Sequence, residues 1–300
     1  MAGFLFKMEY TKPALTYAQQ LDLLISRGLQ VSDRDKALRI LNQISYYRLS
    51  AYCIPFHIEK DKFHGTAKLE DVYRLYCFDK ELRFLALGFL EPVEVAFRTS
   101  LTYHLSHKYG PFGYVEQSNF APRFGHAEWL ESVKEEIARS REVFIEHYRT
   151  KYTKTTSLPL WMATEVFSFG ALSKMFRGLK DEDKNLICSK IEIPHEVIAS
   201  WLHTFTYIRN VCAHHSRLWN KTLAIEPKIP RKLPGWEFLR VPHGNKKMFA
   251  AFAILHYLNR KLELRDDVKT ALVKLFKSYP EVDITRMGFP EDWHAEKFWA

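Results

Sequence analysis

The chain is poor in the residues that break or staple structure. Its 300 residues hold only 12 Gly, 13 Pro and 4 Cys. So little glycine and proline excludes a collagen-like or low-complexity chain. The cysteines, Cys53, Cys77, Cys188 and Cys212, lie far apart. No C-x-x-C pair exists, so no zinc ribbon is suggested, and the thiols read as free and mostly buried. No stretch approaches the ~18 apolar residues that a membrane span needs. The opening residues Met1 to Tyr10 carry no long apolar region and no cleavage-like site, so no secretory signal is read and a cytoplasmic protein is expected. Walker A, G-x-G-x-x-G, H-E-x-x-H and G-x-S-x-G patterns are all missing.

What the chain does have is apolar mass and positive charge. Hydrophobic residues make up 47% and aromatics 15%, the signature of a core-forming globular chain. Most of the rings belong in that core; a minority reading has some Tyr and Trp stacking on bases. The net charge of +9 favours nucleic acid or an anionic membrane surface without choosing between them. Basic residues concentrate at 139–154 and 228–247, but Glu142 and Glu146 interrupt the first run.

Helical periodicity dominates and strand signals are scarce, so the fold class is all-α. Thr16 and Gln19 form a capping box ahead of Leu21, Leu24 and Ile25, with Gly28 as the stop. Ser32 to Asp35 opens a second helix, and residues 44–52 continue helically until Pro55. Residues 57–67 read as a polar loop or short hairpin. A long helix runs over 69–107, with a break or kink expected at Pro92. Residues 109–125 read as a loop, and 127–151 as one charged helix that projects from the body or covers it. One helix is expected over 160–179, where Gly170 implies a close helix contact. A short helix over 181–191 follows. Pro194 starts another that carries Trp201 to Ile208. Residues 221–245 are irregular and basic. Asn245 is placed as the cap of a helix over 246–262, and Asp266 with Asp267 opens a last one. A single domain over 1–300 is expected, with an N-terminal helical region at 14–60, core helices at 68–108 and 160–220, and C-terminal helices at 246–280.

One stretch carries chemistry. Arg209-Asn210-Val-Cys-Ala-His214 places a phosphate-binding guanidinium, an amide and a neutral-pH proton carrier within six residues. Together they could cleave a phosphodiester without a metal. The plainer reading makes Arg209 a helix-end pair and His214 a satisfied core histidine. Five residues on a regular helix separate the two by about 140°. A helix end near His214, the length of Arg209, or a second copy of the helix would be needed to bring both to one phosphate. Asn210 suits donation to phosphate or orientation of a neighbour. Upstream, Glu94 and Arg98 stand four apart, either as an ordinary helix ion pair or as supports for the motif. Glu165 sits among apolar neighbours, and a buried acid there needs a partner. His214-His215 lacks the surrounding ligands of a metal site, and no cofactor is read.

Six segments in order resemble the Abi-like family of bacterial abortive-infection proteins, the AbiD/AbiF type. They are Ile44 to Tyr52 with Pro55-Phe56, Phe78 to Arg83, Glu91 to Arg98, Leu158 to Gly170, Arg209 to His214, and Met287 to Trp293. That family is similar to the HEPN superfamily, helical proteins with an Arg-x4–6-His motif, many of them metal-independent RNases acting as dimers. The resemblance implies a HEPN-like helical bundle with an N-terminal extension and an inserted charged helix. It implies catalytic roles for Arg209, Asn210 and His214, phage defence, a homodimer, and a small non-coding RNA that restrains a toxic nuclease. The leading expectation is therefore an endoribonuclease. The alternatives are a non-catalytic RNA-binding module and a peripheral membrane effector using the helix at 127–151.

Overall fold

A computed structural model describes residues 11, 13–230, 233–239, 244–265 and 267–300. The protein is all-α. Its helices are α1 (Tyr17–Ser26), α2 (Arg34–Gln43), α3 (Tyr46–Cys53), α4 (Leu69–Tyr109), α5 (His126–Arg139), α6 (Val143–Lys151), α7 (Leu160–Val166), α8 (Phe169–Gly178), α9 (Asp181–Cys188), α10 (His195–Ala213), α11 (Met248–Lys261) and α12 (Val268–Ser278). Among the described residues the only sheet is an antiparallel hairpin of β1 (His57–Glu59) and β2 (Lys62–Phe63). The chain divides into two compact units, Met1–Phe78 and Asp79–Ala300, and the division falls inside α4.

In the first unit the local signals act as written. The Thr16 hydroxyl accepts from the Gln19 amide, and the Gln19 side chain accepts from Thr16, closing the capping box of α1. Gly28 then takes the left-handed φ of +96° that ends the helix in a Schellman turn, which an L-residue adopts only with strain. The second helical stretch differs from expectation. It breaks at Ile44, whose backbone is extended, and restarts at α3 because the Ser45 hydroxyl caps Arg48.

In the second unit α4 continues through Pro92, so the helix does not break there. The physical reason is visible four residues back. Proline has no N–H to give the Gly88 carbonyl. That carbonyl instead accepts from Arg265 Nη1 at 3.1 Å, and the next one, of Phe89, accepts from Asn259 Nδ2 at 3.1 Å. The acceptor that proline orphans is satisfied from outside the helix.

Three further expectations are corrected. The charged segment is two helices, α5 and α6, and α5 covers the body: Trp129, Val133 and Ile137 are buried, and the Trp129 indole donates to the Ala171 carbonyl at 3.1 Å. That removes the apolar face a membrane-surface helix would present. The stretch over 160–179 is also two helices, because the Ser168 hydroxyl caps Ala171 and starts α8. Asn245 does not cap α11; its amide donates to the Pro227 carbonyl at 3.2 Å, and Lys247 holds the cap position. Asp267 stands before α12 without capping it by its side chain, and Asp266 lies outside the described residues.

Candidate active site

Helix α10 is amphipathic in a way that both anchors and presents. Ile198, Trp201, Leu202, Phe205, Ile208, Val211 and Cys212 are buried. The Trp201 indole donates to the Lys228 carbonyl at 2.7 Å, tying the helix to the irregular segment. The opposite face shows His203, Asn210 and His214 exposed and Tyr207 half-buried. Spacings of four, three and four residues keep these side chains on one stripe.

The helix ends at the motif. His214 is the C-cap, and its amide still donates to the Asn210 carbonyl at 3.0 Å. His215 donates to the Cys212 carbonyl and Ser216 to that of Val211, at 3.0 and 2.9 Å. These two bonds are a Schellman turn, and His215 takes the left-handed position with φ +54°. The same turn closes α11, with Glu263 at φ +54°. Strain at a non-glycine C′ residue is thus a habit of this chain and does not by itself mark a site.

The helix end alone does not close the 140° gap, since His214 keeps the helical register through its amide. Asn210 stands between the two. It lies one turn before His214 on the same face, and Arg209 Nη1 donates to its Oδ1 at 3.4 Å. Arg209 is half-buried and in this way linked to a residue of the stripe that carries the histidine. The His214 ring is exposed and has no hydrogen-bond partner among the described residues, so the reading of a satisfied core histidine does not hold. The remaining guanidinium donors and the free imidazole face solvent, as phosphate binding and proton transfer require.

Beneath the motif lies an anchor that sequence reasoning missed. Asp79, fully buried on α4, accepts from the backbone amides of Leu218 and Trp219 through Oδ1 at 3.0 and 2.5 Å. Its other oxygen pairs with buried Arg83 one turn on. A buried carboxylate needs such partners, and here they pin the segment that leaves α10. Cys212 lies against this pair. Burial, with the Asp79 charge adding to it, pushes its thiol up to about 12. The signal was present as the i,i+4 Asp-Arg spacing of Phe78 to Arg83, but such spacing is ordinary on helices.

The supporting residues named from sequence are not brought to the motif. Glu94 and Arg98 pair with each other at 2.9 Å, and neither hydrogen-bonds to Arg209, Asn210 or His214 among the described residues. Glu165 is exposed, so no buried acid needs a partner there. No group of three or more His, Cys, Asp or Glu side chains is placed to hold a metal ion among the described residues. No described helix is long and apolar enough to cross a membrane. No curated protein and no solved structure matches the chain. A family model described as Abi-like protein matches residues 39–220, more than half of the chain, a span that takes in Asp79 and the whole motif.

Proposed function

The chain belongs to the Abi-like protein family, and from that premise we propose that it acts in abortive infection, the defence against phage, as a metal-independent endoribonuclease of the HEPN type. The observation that supports the nuclease reading is the hydrogen bond from Arg209 to exposed Asn210, one turn before an exposed His214 at the end of α10. In this reading His214 takes the proton from a ribose 2′-OH, or returns one to the leaving 5′-oxygen. The 2′-oxygen attacks the adjacent phosphorus, the P–O5′ bond breaks, and the products are a cyclic phosphate and a 5′-OH. Arg209 stabilises the charge that builds on the phosphate oxygens, an electrostatic contribution that is usually large. Asn210 holds Arg209 in place. A single Arg-x4-His motif per chain suits a homodimer in which two α10 ends face one cleft, and a small non-coding RNA suits the role of restraint.

The test is expression of wild type and His214→Ala in bacteria with total RNA sequenced for new 5′-OH ends. Growth arrest with new ends in wild type alone is the expected result. RNA that co-purifies with both proteins while neither produces ends would replace the nuclease with an RNA-binding module. An activity that depends strictly on divalent metal would overturn the mechanism.

A further inference from the structure

The loop before α5, together with α5 and α8, encloses a depression of about 420 Å³ whose lining includes Arg123, Lys174, Arg177, Phe124 and Glu128. We propose that this depression binds the sugar–phosphate backbone of single-stranded RNA and leads the strand along α10 to His214. The proposal rests on the nuclease reading for what happens at the far end of that path; the grip itself does not.

Three observations carry it. The first is unneutralised charge. Arg123, Lys174 and Arg177 are exposed, and none makes an ion pair among the described residues, although Glu128 shares the depression. Four other cations of this unit show what a neutralised one looks like: Lys108 pairs with Glu182 and Asp183, Lys184 with Asp181, Lys261 with Glu192 and Arg265 with Asp267; what sets the depression apart is that three unpaired cations line one hollow. Three like charges held around one hollow repel one another and focus a field that an anion relieves.

The second is a rigid aromatic floor. The Phe124 ring lies so close on Gly178 that a Cβ there would fall 2.6 Å from ring carbons. Phe124 in turn packs near Phe120 and Trp129, with ring centroids 5.4 and 5.9 Å away. A half-buried ring among cations is the pairing that single-strand binders use, stacking for bases and charge for phosphates.

The third is continuity with the motif. Arg177 is an electrostatic neighbour of His203, whose imidazole is held below its ordinary range first by burial and then by that guanidinium. His203 begins the stripe that runs through Tyr207 and Asn210 to His214. Eleven residues of α-helix span about 16 Å, a length that a few nucleotides cover. A membrane fits less well, because the apolar face of α5 is buried and the cations line a hollow.

The experiment uses the full chain in a His214→Ala background, so that substrate survives. Binding of a labelled mixed-sequence single-stranded RNA of about 20 nucleotides is followed by fluorescence anisotropy across a salt series. Arg123→Gln, Lys174→Gln and Arg177→Gln together are expected to weaken binding at least ~10-fold. They should also reduce the slope of log K against log salt by about 2, the share of three single-strand phosphate contacts. Should the triple variant fail to fold, Lys174→Glu alone, at an exposed α8 position, carries the same test. Unchanged affinity and slope overturn the proposal. So does a loss confined to phosphatidylserine vesicles with RNA binding intact. Charge-dependent RNA binding without His214-dependent ends in wild type would leave the depression standing and remove the nuclease. His214-dependent ends undiminished when the three substitutions are made in the wild-type background would do the reverse.

Discussion

At the scale of single residues, the motif and its anchor make separable demands. His214 is exposed and makes no packing contribution that a methyl group could not replace. His214→Ala should therefore leave thermal stability unchanged and lower single-turnover cleavage by about 10²–10⁴-fold, the usual worth of a general acid or base. Arg209→Lys keeps the charge but loses the fork that reaches Asn210 and a phosphate together. It should lose most of the cleavage as well, while RNA affinity at matched salt holds. Asp79 makes the opposite demand. Asp79→Asn keeps an oxygen for the Leu218 and Trp219 amides but leaves the Arg83 charge buried without its counter-charge. Breaking one side of a buried pair costs about 3–5 kcal/mol, to be read as a fall in the urea midpoint. The candidate motif stood out in the sequence because its proposed chemistry is written in residue types at close spacing. Asp79 was not, because its partners are backbone amides some 140 residues along the chain.

Helices in this chain are finished by neighbours as much as by their own residues. The passage of α4 through Pro92 depends on Arg265, which gives the Gly88 carbonyl the donor that proline withholds. Arg265→Ala should cost about 0.5–1.5 kcal/mol, the net worth of one such hydrogen bond. In a Pro92→Ala background the cost should shrink, because alanine at 92 restores the helical N–H. A double-mutant cycle in urea measures that coupling. The far end of α4 is joined to α9 by Asp183, a buried carboxylate that takes hydrogen bonds from Lys108, His104 and Tyr109 at 2.7 to 2.8 Å. Burial alone would push its carboxyl up, but these donors hold it below the usual carboxylate range. A depressed value means that the folded state prefers the ionised form. The stabilisation is then complete above the unfolded carboxyl's pKa of about 4 and is lost as pH falls through the folded value. Wild type should exceed Asp183→Asn in stability at neutral pH, with the two curves converging below about pH 4. Local signals predicted both caps of α1 and the region of the hairpin. They failed at Asn245 and in allowing a helix break at Pro92, where the deciding partner is distant in sequence.

At the scale of the whole molecule, the net charge of +9 was plain, but where it acts was not. The basic runs at 139–154 and 228–247 drew attention, whereas the cations of the depression come singly from a loop and one face of α8. A surface assembled from scattered residues leaves no run to find. Its global signature is screening. RNA carried through purification at low salt should be shed near 1 M salt, where the Debye length is about 3 Å, with the absorbance spectrum reporting the change. The buried thiol of Cys212 has a further use. A side chain sealed by packing, with an ionisation near 12, offers an alkylating reagent almost no thiolate at neutral pH until the helix end comes apart. Its labelling rate in a chain keeping only that cysteine would clock the openings of the motif helix, and with them the free energy of local unfolding at the place where the chemistry is proposed.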